Sequence, residues 1–212
     1  WWFEGVTSYY DDLVLYRTGI IDQAQYLNII VENLNNVYKF AGVTQQSVAN
    51  SSLTSWVKYY RQDENSPNSI VSYYVKGSLV ALCLDLLLRS KSQFSLDSVM
   101  LHLFKLWQVN PIGVAEDEFP ALIQAATGVD LAEFIQQATE TTEMLPYVEL
   151  LAQFGLDLTT RLAKNHQDSG KFNLSTASAV PLALGDLGAK LEKQALGYVV
   201  KNVYADTPAE RA

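Results

Sequence analysis

The sequence predicts a mainly α protein, a helical bundle with a short β segment near the C-terminus. Two observations predict it. Through the first 165 residues apolar side chains recur at three- and four-residue spacing between capping residues and glycines, and from about Leu184 the pattern changes to strand-like runs around a turn. Composition sets the bounds. At about 150 residues per domain, 212 residues make one large domain or one and a fraction. Hydrophobic residues at 49% are ample for a core and exclude disorder for the bulk of the chain. Lys plus Arg number 15 against 23 Asp plus Glu, a net charge of −8, which argues against a nucleic-acid binder because phosphate affinity rests on clustered cations. The single cysteine, Cys83, excludes an internal disulfide, and two histidines, His102 and His166, leave little material for a self-contained histidine metal centre.

Each element follows in order. Val6, Tyr9, Tyr10, Leu13 and Val14 place an amphipathic helix over 3–17, stopping before Gly19. Asp22-Gln-Ala-Gln25 has the form of a capping box and opens a helix whose stripe is Leu27, Ile30, Val31, Leu34 and Val37, stopping at Gly42. A shorter helix is expected over 53–60, and 61–69 is a polar, turn-rich loop. Residues 70–89 are apolar nearly all round, which marks a helix at the centre of the bundle. Their most apolar run, 78–88, is broken by Asp85 and falls short of the roughly 20 residues that a membrane span needs. Ser95 can cap a helix with Leu96, Val99, Met100, Leu103, Phe104 and Trp107 on one face. Helices follow over 116–127, from the Asp130-x-x-Glu133 box to about 142, and over 147–154, ending at Gly155. Residues 157–162 alternate like a strand, 164–178 read as a linker or mobile loop, 188–192 and 197–204 as two strands around a turn, and 207–212 as the start of a helix. Two strands cannot bury a core alone, so the expected division is 1–165 helical, 166–183 linker and 184–212 a piece of a second domain. The chain opens without an initiator Met or the basic start of a signal peptide, and both ends read as cut.

The opening stretch is the most informative for chemistry. On a helix Glu4, Thr7, Ser8 and Asp11 share one polar face, and an ordinary Glu in a first turn points to water, favoured by the helix dipole. Three bulky aromatics precede Glu4 and Gly5 follows it, which suggests a carboxylate held in a walled, partly dry site. The pattern Trp-x-x-Glu-Gly-x-Thr-x-Tyr resembles the third-ligand segment of the gluzincin metallopeptidases. The fuller run Trp2-Phe3-Glu4-Gly5 with Tyr9-Tyr10 is most similar to the glycyl aminopeptidase family, whose members carry a PDZ domain after the peptidase domain. The resemblance implies that Glu4 is the third zinc ligand beside two histidines, leaving a fourth position for a water that the metal acidifies.

A second block, Tyr74-x-Lys76-Gly77, is similar to the Tyr-x-Lys-Gly segment of related aminopeptidases. The resemblance gives Tyr74 a hydroxyl that faces the zinc and stabilises the oxyanion, with Tyr73 the alternative if the alignment slips by one. Without it, Tyr74 reads as a core aromatic at the start of a buried helix. Lys76 reads as a stem packed on apolar surface with its ammonium in water and takes no catalytic role. The tail from Leu187 resembles the first strands and first helix of a PDZ domain, with Leu187-Gly188-Ala189 in the loop that binds a peptide carboxylate through backbone amides. The helix that would wall the groove is missing, so a working peptide site is not expected.

The expectation is therefore the C-terminal helical part of a gluzincin zinc aminopeptidase catalytic domain with the start of a PDZ domain. Its substrates would be peptides with small, glycine-like N-terminal residues. The His-Glu-x-x-His helix and the segment gripping the substrate's amino end are not in this sequence, so the chain alone is expected to be inactive and to bind zinc poorly. The rival is a non-catalytic helical interaction module with a PDZ-like recognition tail. His102 reads as a packing or solvated histidine, His166 falls in the linker, Cys83 reads as an inert core thiol, and Asp11-Asp12 and Glu116-Asp117-Glu118 as solvated positions. No Gly-rich phosphate loop, nucleophile elbow or basic patch occurs. The reading is of a soluble protein, and one cysteine suits cytoplasm or periplasm equally.

Overall fold

A computed structural model of the chain describes residues 1–164, 168–173 and 185–212. It is mainly helical, with one antiparallel hairpin near the C-terminus. Residues 1–79 with 160–212 form one compact unit and residues 80–159 a second.

In the first unit α1 (Trp2–Arg17) turns Gly5, Val6, Tyr9 and Leu13 inward. The capping box opening α2 (Gln23–Tyr38) is present in both directions. The Gln25 amide donates to Asp22 Oδ1 and the Asp22 amide to Gln25 Oε1, each at 2.8 Å. This helix stops at Tyr38, before Gly42, because Gly42 opens the separate turn α3 (Gly42–Gln45) hard against another strand of chain. A Cβ at Gly42 would lie 2.0 Å from the Ile70 carbonyl oxygen.

The helix expected over 53–60 lies earlier, as α4 (Val48–Leu53), started by Ser47 Oγ accepting from the Asn50 amide at 3.2 Å. Beyond it the hydroxyl of Thr54 donates back to the Asn50 carbonyl at 2.7 Å, and the chain mixes bond spacings. Lys58 N–H reaches Thr54, Val57 N–H reaches the same carbonyl, and Tyr60 N–H reaches Ser55. Such mixed spacings make turns and not a helix. A short helix, α5 (Ser66–Ser69), interrupts the polar loop. The long apolar helix α6 (Val75–Lys91) begins five residues later than its periodicity suggests. Ile70 is extended, and tertiary hydrogen bonds described below hold the residues that follow it.

The second unit takes residues 80–91 of α6, whose Leu82, Cys83, Leu84 and Leu88 are buried, with α7 (Leu96–Val109), α8 (Phe119–Thr127), α9 (Ala132–Glu140) and α10 (Tyr147–Ala152). Asp85, buried among those leucines, accepts the Leu96 amide at 2.7 Å and the Arg89 Nε–H at 2.8 Å. The carboxylate therefore starts α7 from inside the core. Leu96 and Val99 of α7 are buried, whereas Phe104 and Trp107 on the same face are exposed. Asp130 accepts the Ala132 amide at 3.0 Å, a local turn in place of the box with Glu133. Gly128, at φ +72°, closes α8 in the left-handed region.

Residues 157–162, expected as a strand, are unpaired: the one sheet among the described residues is the hairpin of β1 (Ala189–Gln194) and β2 (Gly197–Val203). Its antiparallel register sets Ala189 opposite Val203, with a shift between Lys190 and Leu191. A last turn, α11 (Pro208–Arg211), follows. Asn68 of α5 ties the hairpin into the first unit, donating to the Val203 carbonyl at 2.8 Å and accepting the Ala205 amide at 2.9 Å. The described part of the expected linker, 168–173, is anchored on α2. The Phe172 amide donates to Asn28 Oδ1 at 2.8 Å, and Asn35 Nδ2 donates to the Ser169 carbonyl. His166 and Leu184 lie outside the described residues. Among the described residues no helix is long and apolar enough to cross a membrane.

Candidate active site

Two glycines bring the two sequence blocks together. Gly5 of α1 and Gly77 of α6 are buried against each other. A Cβ on Gly5 would stand 2.7 Å from both Cα and the carbonyl carbon of Gly77, and one on Gly77 would stand 2.9 Å from Gly5 Cα. Only residues without a side chain let two helix backbones approach so closely. The contact sets Glu4, the neighbour of Gly5, and Tyr74, three residues before Gly77, on elements that cross at this point. Among the causes that raise the Tyr74 pKa, hydrogen bonding to Tyr60 leads and the charge of Glu4 comes last.

Distant side chains fix the turn that presents Tyr73 and Tyr74. The hydroxyl of Ser51 donates to the Val71 carbonyl at 2.5 Å, and the Val71 amide donates to Gln46 Oε1 at 3.2 Å. Tyr59 and Ser72 share a hydroxyl bond at 3.1 Å, and Ser72 Oγ also accepts the Val75 amide at 3.2 Å. Ser51 and Gln46 are themselves buried, so these bonds are shielded from water.

Tyr74 is half-buried, and its hydroxyl is 2.7 Å from that of Tyr60, which lies 3.2 Å from the hydroxyl of Tyr73. Ring packing supports the cluster: Tyr73 and Tyr74 centroids are 4.5 Å apart, Tyr59 and Tyr74 5.9 Å. Hydrogen bonding to Tyr60, then to Tyr73, and then burial raise the Tyr74 pKa far above the ordinary phenol range. Tyr74 therefore stays protonated, and a donor, at any physiological pH.

Two expectations change here, for Glu4 and for Lys76. Glu4 is exposed and Phe3 is 82% exposed, so the aromatics beside Glu4 do not wall it within this chain. The cause is helical geometry: positions 5 and 6 turn inward and positions 3 and 4 turn out. Lys76 does not reach water. It is fully buried, its Nζ has no hydrogen-bond partner among the described residues, and burial lowers its pKa. The expected carboxylate-binding loop is already engaged, since the Gly188 amide donates to Asp186 Oδ1 at 2.9 Å and the Gly188 carbonyl accepts the Tyr204 amide at 2.9 Å. Cys83 is buried as expected, and burial pushes its thiol up.

Sequence reasoning gave no role to Tyr59 or Tyr60, which it placed in a helix. Their only signal was the density of tyrosines at 59–60 and 73–74, which carries no period. Among the described residues no three His, Cys, Asp or Glu side chains converge as a metal site, and His102 is half-buried on α7. As an exposed hard-oxygen donor Glu4 suits one position around a zinc ion, and among the described residues it is not part of any group of three such ligands.

A carboxylate and a protonated phenol thus stand on segments that meet at the two glycines. Residues 1–80, which contain both, match the sequence signature of the M61 glycyl aminopeptidases. In the crystal structure of an aminopeptidase N family protein from Idiomarina loihiensis, a region 40% identical in sequence superposes with a TM-score of 0.88 over 100% of this chain. The chain is thus similar to the M61 glycyl aminopeptidases over residues 1–80 and to that solved protein throughout. It spans 36% of the length of that solved protein. No curated protein matches it.

Proposed function

We propose that this chain is the ligand-and-donor part of a zinc-dependent aminopeptidase that removes small, glycine-like residues from the amino ends of peptides. Glu4 is its carboxylate zinc ligand and Tyr74 its oxyanion donor. The observation that carries the reading is the Gly5–Gly77 crossing, which joins the two motif blocks 70 residues apart, counted from Glu4 to Tyr74. Zinc, when bound, would supply Lewis acidity toward a water and the scissile carbonyl. Glu4 holds one side of that ion with its exposed carboxylate. Tyr74 gives a hydrogen bond to the oxygen on which charge develops, and it makes that bond strongest in the transition state, where it lowers the barrier. The two histidines and the base of such a site are proposed to come from the parent's remaining length. Residues 1–165 belong, on this reading, to the catalytic domain, 166–183 link it onward, and 184–212 begin a PDZ-like domain whose groove is incomplete in this chain. The hairpin followed by a helix supports that last assignment.

The test uses the full-length protein. Glu4→Gln should lose zinc and activity together, whereas Tyr74→Phe should keep zinc and lose about 10²-fold in kcat, the lower end of what one oxyanion donor supplies. Normal zinc content in Glu4→Gln would overturn the ligand assignment, and normal kcat in Tyr74→Phe the donor assignment.

A further inference from the structure

We propose that Tyr60 is a positioning residue for Tyr74, holding the oxyanion donor at the end of a chain of three phenols; the inference rests on the reading of Tyr74 given above. The Tyr60 hydroxyl stands between two others, 3.2 Å from Tyr73 and 2.7 Å from Tyr74. Each phenol has one proton to give. At rest the Tyr74 proton is given into the cluster, as its raised pKa requires; when charge appears on the substrate oxygen the three hydroxyls turn together, Tyr73 giving to Tyr60 and Tyr60 to Tyr74, which frees the Tyr74 proton for the oxyanion. A hydroxyl that accepts one hydrogen bond gives the next more strongly, so the chain both aims the proton and strengthens its bond to the oxyanion.

The rings are held where this requires. Tyr60 packs on Trp56 at 5.1 Å between centroids and edge-on to Tyr59 at 5.5 Å, and its amide is fixed to the Ser55 carbonyl at 2.9 Å. Tyr73, at the far end, is buried, whereas Tyr60 is 50% exposed. The cluster thus joins the buried Tyr73 to the exposed Tyr60, with Tyr74 half-buried beside them. Without the Tyr60 hydroxyl the Tyr74 oxygen would lose both the bond that fixes its place and the donor that replaces its proton.

The experiment uses the zinc-loaded full-length protein, with glycine p-nitroanilide as substrate and a phosphinic glycyl-dipeptide analogue as a mimic of the tetrahedral state. Tyr60→Phe keeps the ring and removes the hydroxyl. It should lower kcat about tenfold, a fraction of the loss expected for the donor itself, with KM and zinc content unchanged. Calorimetry should show binding of the phosphinic analogue weakened by the same factor. In a Tyr74→Phe background, Tyr60→Phe should have no further effect. An unchanged kcat in Tyr60→Phe while Tyr74→Phe is slow would overturn this inference alone, as would the same tenfold loss in both backgrounds. A normal kcat in Tyr74→Phe would instead overturn the reading on which it rests.

Discussion

At the scale of single residues, Lys76 carries an amine into the interior beside the candidate site. It is fully buried, its nitrogen lacks a hydrogen-bond partner among the described residues, and burial pulls its pKa below 10.5. With the folded pKa below the unfolded one, the unfolded chain binds the proton more tightly between those two values. Stability therefore rises with pH across that window, and the penalty is greatest below it. Replacing the lysine by methionine keeps length and removes the amine. Lys76→Met should raise stability near neutral pH by about 1–3 kcal/mol, the cost of an unsatisfied buried polar group. It should also abolish the gain that the wild-type chain shows as pH climbs toward 10.5. Urea unfolding at both ends of that range measures it, and a destabilised Lys76→Met would mean that the amine is held by a partner. The sequence could not show this burial. A lysine next to an apolar run reads as a snorkelling stem, and no local pattern distinguishes that from a side chain buried to its nitrogen.

At the scale of elements, the crossing of α1 and α6 decides whether Glu4 and Tyr74 can act together. Gly77→Ala would place a methyl group 2.9 Å from Gly5 Cα, against backbone that cannot rotate away. The helices must separate, which should cost about 1–3 kcal/mol, as overpacking does. In the full-length protein kcat should fall while the zinc content, which needs Glu4 and not its distance from Tyr74, is kept; both are read on one preparation by kinetics and metal analysis. Both glycines were visible in the sequence inside the two blocks that marked the family, yet their contact was not, because nothing local pairs positions 72 apart. The same limit displaced two helix boundaries. Periodicity ran through 70–74, but Gln46 and Ser51 hold Val71 in place with bonds that a local pattern cannot contain. It also ran through 53–60, where Thr54 bonds back to Asn50 and ends the helix. Asp22 and Gln25 were read correctly, since a capping box is local and its partners are three residues apart.

At the scale of the whole molecule, class and order were legible: helices as far as Ala152, and a hairpin and a helical turn at the end of the described residues. Strong 3.6-residue periodicity survives any tertiary arrangement, and the hairpin is bounded by glycine at its turn. The tie between that hairpin and α5 through Asn68 was not legible, being two hydrogen bonds from one side chain across more than a hundred residues. The candidate residues Glu4 and Tyr74 stand in blocks that the sequence marks, whereas Tyr60 carried no signal, because its bond to Tyr74 is tertiary. The chain spans 36% of a solved relative, so the central claim, that Glu4 is a zinc ligand in a site served by Tyr74, is tested on the full-length protein. Anomalous diffraction at the zinc edge is the direct measurement. It should place the metal about 2.0–2.2 Å from a Glu4 carboxylate oxygen, with the Tyr74 hydroxyl facing the open position. A zinc ion whose coordination lacks Glu4 would contradict the account.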